Sequence, residues 1–223
     1  MGLPITASVA MNAAASANNI AASQTPSGAG DLTLTAGALA GTVPGTVGVP
    51  ATARKVLFTP AGAEGANGTV WTVYGTNAAG FPISENVAGA DNPATATTVQ
   101  DFLTVTQISV NKAQADAVTV GTSGLASTMW QIVNTNADPC QFGIGVVVTG
   151  TISFTVEYTF DDPNAMPGGT FPTAFAFSDL TSKVANTAAA LNMPVRAIRL
   201  SQNSLTYPAT ATMTIIPAGL ASP

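Results

Sequence analysis

The sequence predicts an all-β protein built as an antiparallel sandwich, and three observations carry that expectation. From Asp31 onward, Thr, Val, Ile and Phe recur in short runs. Gly, Pro or Asn breaks them about every 8–12 residues, the spacing of a sandwich or barrel. The run Thr151 to Phe160 alternates strictly: Ile152, Phe154, Val156, Tyr158 and Phe160 share one face, with Thr151, Ser153, Thr155, Glu157 and Thr159 on the other. Burying those five apolar residues would contribute on the order of 10 kcal/mol before chain entropy is subtracted. No stretch demands a crossover helix between parallel strands, so neighbouring strands are expected to run antiparallel.

Each element follows from local pattern. Residues 1–30 hold Ala13-Ala14-Ala15, Asn18-Asn19 and the breaker cluster Thr25-Pro26-Ser27-Gly28. Their apolar side chains are few and small, so they are expected to form an extended N-terminal arm, ordered by a neighbour or left as a disordered tail. The sandwich domain is expected over 31–223. Its strands are read at Arg54–Thr59, Thr69–Gly75, Phe81–Val87, Phe102–Val110, Ala117–Gly121, Met129–Thr135, Gly143–Thr149 and Thr151–Phe160. The loop Thr76-Asn77-Ala78-Ala79-Gly80 predicts a hairpin between the second and third of these. A Gly/Pro-rich excursion spans about 161–194, with at most one short helix, Asp179–Leu191, which is Ala-rich and stops before Pro194. Val195–Leu200 and Leu205–Ile216 close the chain.

Composition removes most catalytic chemistries. The 223 residues include 40 Ala, 32 Thr and 21 Gly, no His and one Cys, with 6 basic and 11 acidic residues for a net charge of −5. Without His, Ser-His-Asp, Cys-His and His-containing zinc sites are impossible. Cys140 has no basic sequence neighbour to activate it and reads as a small buried hydrophobe. Neither GxGxxG nor GxxxxGK[ST] occurs. Six scattered cations cannot neutralise a phosphate backbone, so nucleic acid is not an expected partner. The longest strongly apolar run, Ile144 to Val148, falls far short of the roughly 20 residues of a membrane helix, and no Sec-type leader opens the sequence. Asn67-Gly68-Thr69 fits a glycosylation sequon and, without a leader, reads as a tight turn. Neither catalytic residue nor cofactor nor metal is assigned, and the chain is not expected to be an enzyme.

The remaining polar groupings have ordinary readings. Asp161, Asp162 and Glu157 could offer oxygens to Ca²⁺, but Asp-Asp-Pro-Asn is turn chemistry. Glu64 and Glu85 are expected to be solvated or ladder-facing carboxylates rather than a glycosidase pair. Arg54, Arg196 and Arg199 are half of the six cations, and two readings compete for them: bidentate bonds across an interface, or intrachain pairs. Charge is only 8% of the chain, about a third of the usual share. Solvent-facing strand positions are Thr, Ser, Ala, Asn and Gln. Strand edges without charged gatekeepers invite further pairing, so the chain is expected to bury surface against other chains.

Several runs carry a family resemblance. Ala53-Arg54-Lys55-Val56, Pro60-Ala61-Gly62 and Thr69-Val70-Trp71-Thr72-Val73-Tyr74-Gly75-Thr76-Asn77-Ala78-Ala79-Gly80 form one group. Ile83-Ser84-Glu85-Asn86-Val87, the run Asp101 to Val110 and Val118-Thr119-Val120-Gly121-Thr122 continue it, and Pro194 to Leu200 and Ile215-Ile216-Pro217-Ala218-Gly219 close it. Over about residues 50–220 this pattern resembles the head decoration (cement) proteins of tailed bacteriophages, where Gln is more usual at the place of Pro217. The resemblance implies a sandwich of jelly-roll type that binds the outside of the capsid and stabilises it. It implies the major capsid protein and further copies of the same chain as partners, with no membrane involved. Synthesis would occur in the host cytoplasm and the final location would be the virion surface. Interface candidates are then Arg196 and Arg199, with Phe171, Phe175 and Phe177 as anchors on the excursion. Other virion parts (a head–tail adaptor, tail tube or fibre base) share this texture. A carbohydrate-binding or adhesin module using Trp71, Trp130 and Tyr207 is the remaining alternative, although both Trp residues lie within strand patterns and read as core.

Overall fold

A computed structural model describes residues 4–11, 15–35, 53–133, 141–165 and 171–217. The fold is all-β with antiparallel pairing throughout, as the alternation and the absence of crossovers predict. The first strands are β1 (Ile5–Met11), β2 (Ser16–Gln24), β3 (Gly30–Asp31), β4 (Val56–Pro60) and β5 (Val70–Thr76). Next come β6 (Pro82–Ala88), β7 (Ala96–Thr97), β8 (Thr104–Val110), β9 (Val118–Thr122) and β10 (Gln131–Ile132). The last are β11 (Phe142–Thr159), β12 (Phe175–Ala176), β13 (Thr187–Leu191) and β14 (Ala197–Pro217). The chain divides into two compact units: unit 1 is residues 1–11 with 127–223, and unit 2 is residues 12–126.

Unit 2 is a sandwich of two four-stranded sheets, β2-β9-β4-β7 and β3-β8-β5-β6. Its pairs nest: first strand with last (β2 with β9), second with second-last (β3 with β8), then β4 with β7 and β5 with β6. Alternate residues point inward, so Val56, Phe58, Val118 and Val120 from one sheet meet Trp71, Val73, Ile108 and Val110 from the other. Phe58 stacks on Trp71 at 5.5 Å between ring centres.

Unit 1 is one six-stranded sheet dominated by the long pair β11 and β14. Gly150 sits at a positive φ of 81° beside a register shift between Thr149 and Thr151. A Cβ there would lie 2.6 Å from the Pro208 carbonyl oxygen, so glycine is required where the pair bends. Below the bend, β14 and β11 are flanked by β1 and β13; above it, by β10 and β12. Phe142, Ile144 and Val146 from one half and Ile152, Phe154 and Val156 from the other enter a single core cluster. With the long strands counted as two each, the halves read first–eighth–third–sixth and second–seventh–fourth–fifth. Unit 2 has the same order.

Three expectations are corrected. Residues 5–11 and 16–24 are strands rather than an extended arm, because small Ala, Ser and Thr side chains let them lie against β14 and β9. At Gly121 a Cβ would stand 1.9 Å from the Ser16 carbonyl oxygen, so the approach of β2 depends on that glycine. The helix Asp179–Leu191 is absent: a 3₁₀ turn covers Ser178–Leu180, and Thr187–Leu191 is β13. Alanine is the best helix former, but intrinsic propensity is a weak determinant, and five backbone pairings with β11 outweigh it. The alternating run 151–160 buries Ile152, Phe154 and Val156 but leaves Tyr158 half-buried and Phe160 56% exposed, because it outruns the core. Pro217 closes β14 opposite Phe142, where its missing donor matters least.

Candidate interaction surfaces

Charge is distributed unevenly in unit 1. Among the described residues, all of its charged side chains (Glu157, Asp161, Asp162, Asp179, Lys183, Arg196 and Arg199) belong to the half built on β10, β12 and their neighbouring segments. The other half, β1, the end of β14, the start of β11 and β13, carries none. Its outward positions are small or hydroxylated, such as Thr6, Ser8 and Ala188, with Val147 and Ile216 exposed among them. Ser8 and Thr212 share a hydroxyl–hydroxyl bond of 2.9 Å across the β1–β14 ladder. Stable interfaces are depleted of charge at their centres, and this face has that composition.

The expected interface residues divide into three environments. Arg199 lies opposite Glu157 in the β11–β14 register and donates from Nε to Glu157 Oε2 at 2.6 Å. Its guanidinium also covers the Trp130 ring at 4.6 Å. Arg196 pairs with Asp162, and its backbone N–H donates to the Thr159 carbonyl. Both arginines therefore form intrachain pairs. Asp162 is held below the usual carboxylate range, chiefly by the Asn164 N–H and then by Arg196.

Phe177 packs against the core of unit 1, whereas Phe171 and Phe175 are exposed. Phe175 joins two residues not expected with it: it stacks on Tyr158 at 5.6 Å and meets Phe160 edge-on at 5.7 Å. The Tyr158–Phe160 contact closes this aromatic trio. Its signal in the sequence was the far end of the alternating run; what hid it was the unknown length of the core.

The two glutamates of unit 2 each have hydrogen-bond partners within that unit. Glu64 and Glu85, expected to be solvated or ladder-facing, are buried. Glu85 accepts the backbone N–H groups of Val99 and Gln100 at 2.7 and 2.9 Å. Glu64 accepts the Trp71 indole N–H at 3.0 Å through Oε2, while its Oε1 has no hydrogen-bond partner. Burial raises the pKa of both, and Asp116 and Asp91 add to the effect at Glu64. Asp161 accepts the Thr173 N–H, and Glu157 and Asp162 pair with arginines, so each of the three carboxylates has a partner within the chain. Among the described residues no group of three His, Cys, Asp or Glu side chains is gathered to hold a metal. No helix there is long and apolar enough to cross a membrane. Trp71 is fully buried and Trp130 partly so, while Cys140 and the Tyr207 side chain lie outside the described part.

Comparison with known proteins finds no matching family, no similar curated protein and no similar solved structure.

Proposed function

We propose that this chain is a structural virion protein that docks on the outside of a phage capsid and stabilises it, as a homo-oligomer. The observation that carries the reading is the uncharged outer face formed by β1, the end of β14, the start of β11 and β13 of unit 1. A face without charge is suited to burial against an assembled shell rather than to lifelong solvation. The nested strand order of the two units adds support. Pairing first-with-last in this way supports the jelly-roll reading, an architecture used by viral capsid and lectin domains. The mechanism is mass action: a ligand that binds only the expanded shell lowers its free energy relative to the dissociated or immature state. Copies joined in one oligomer bind more tightly than their single contacts would.

Cosedimentation with expanded, undecorated capsids tests this, with unexpanded procapsids as control. The expected result is saturable binding to the expanded shell at a fixed number of copies per capsomer, with a raised shell melting temperature. Val147→Lys and Ile216→Lys are expected to weaken that binding at least tenfold, since each places a charge on the docking face. No binding to either shell overturns the decoration role and directs attention to an adaptor, tail tube or fibre base. The exposed trio of Tyr158, Phe160 and Phe175 favours a second reading, a carbohydrate-binding module. Retention on immobilised glycans, lost in Phe175→Ala, would support it.

A further inference from the structure

We propose that β1 is a self-association edge: a second copy of this chain adds its own β1 antiparallel across a two-fold axis, continuing the sheet of unit 1 through the junction. The inference deepens the homo-oligomeric part of the function proposed above and makes no use of capsid binding.

The argument starts from how each exposed edge is managed. Natural edge strands are blunted by shortness, bulges, proline or inward-pointing charge. Most edges here use one of these devices. β3, β7, β10 and β12 are two residues long. β6 opens with Pro82 and carries the buried Glu85. β2 holds the same place in unit 2 that β1 holds in unit 1, yet its register breaks twice, and Asn19 ties it to Thr122 through both carboxamide atoms.

By contrast, β1 is paired with β14 over seven consecutive residues without a shift. It contains no charge and no proline, and no described strand lies on its other side. β13 is similarly plain but has five residues, too few to match β1 along its length. Pairing β1 to β13 of the next copy would also leave both ends open and propagate into fibres, whereas β1 to β1 closes after two copies.

β1 is compatible with itself. A register centred on Ser8 sets Ser8 opposite Ser8 and Thr6 opposite Ala10, so no like charges meet. Positions of equal parity face each other, so Ile5 and Ala7, which pack on the core, stay on the core side of the joined sheet. Thr6 and Ser8 remain on the exposed side. The two uncharged half-sheets become one, ordered β13-β11-β14-β1 and then β1-β14-β11-β13.

Sedimentation velocity of the full chain over a concentration series is the test. The wild-type chain is expected to be a dimer or a multiple of one. Ser8→Lys and Thr6→Lys are expected to raise the dissociation constant at least tenfold, with the circular dichroism spectrum unchanged because both positions are exposed. Val147→Lys, on the same sheet but away from the edge, is expected to leave association intact. A short bis-maleimide should link Ser8→Cys across the two-fold, while Ala188→Cys on β13 and the wild-type chain, with Cys140 alone, serve as blanks. A monomeric wild-type chain overturns the proposal, as does a dimer unaffected by Ser8→Lys or one linked through Ala188→Cys instead. Failure of capsid binding would leave these readouts unchanged, so the two proposals fail separately.

Discussion

Units 1 and 2 wind their strands in the same order but turn their corners differently. In unit 2 the connection from third to fourth strand is the loop 61–69, and that from seventh to eighth is the loop 111–117. In unit 1 the same two connections lie inside continuous strands, at Gly150 of β11 and at residues 206–209 of β14. A loop must satisfy its own backbone groups, so it recruits polar side chains. The loops of unit 2 accordingly hold Glu64, Lys112 and Asp116, and the Lys112 ammonium bonds the Asn67 carbonyl. A bent strand keeps its ladder and needs none of this. One topology therefore places two buried carboxylates, their pKa values raised by burial, in unit 2, and leaves one half of unit 1 without charge.

The largest effect that separates the units comes from their cores. Phe58→Ala removes a fully buried ring stacked on Trp71 and should cost about 3–5 kcal/mol. Hydrogen exchange resolved by residue should show the loss of protection in β4, β5, β8 and β9. Equal loss in β11 and β14 would mean that the units unfold together and that the division has no energetic meaning. Gly150→Val is the converse experiment. It forces a β-branched residue to a φ of 81° beside the Pro208 carbonyl, for about 2–3 kcal/mol or more. Protection should fall first in β11 and β14.

A smaller effect sharpens the contrast in titration. Burial raises the pKa of Glu64 and of Glu85 above the ordinary glutamate value. For an acid whose folded pKa exceeds its unfolded pKa, the folded state holds the proton more tightly. The associated stability is full below the unfolded pKa and is lost as pH rises through the folded one. Asp91 and Asp116 add to the effect of burial at Glu64. Glu64→Gln should therefore flatten part of the downward slope of stability with pH, to which Glu85 also contributes. Denaturant midpoints at several pH values above 4 test it, with Trp71 fluorescence as the local probe. A slope unchanged in Glu64→Gln would show that its carboxyl is ionised alike in both states.

The legible part of the fold was the part governed by period two. β4, β5, β6, β8 and β9 lie within two residues of their expected places because each alternates inward and outward residues across a half-buried sheet. The alternation also marked Phe142 to Thr159, but as two strands, since Gly150 reads as a breaker and only tertiary pairing makes it a bend. Residues 5–11, 16–24 and 187–191 were opaque for another reason. Ala, Ser and Asn carry little pattern, and partners up to 210 positions away, as in Ile5 with Ile215, decide their state. At the interaction surfaces, the shortage of charge was evident in composition. Its segregation to one half of unit 1 required knowing which strands pair.

The smallest predicted effect concerns how closed the charged half of unit 1 is. Arg199 combines a 2.6 Å bond to Glu157 with contact over Trp130, and its side chain is only 12% exposed. Lysine at this position keeps the charge but loses the planar fork and the stacked guanidinium. Arg199→Lys should thus cost about 0.5–1 kcal/mol, read from denaturant midpoints at low salt. Adding salt should shrink the cost only slightly, because a shielded pair is screened less than an exposed one. If salt abolished the difference, the pair would be a solvated surface contact, and Arg199 would be available to an external carboxylate. If the difference persists, the arginine is spent within the chain, and docking is left to the uncharged half of the same sheet.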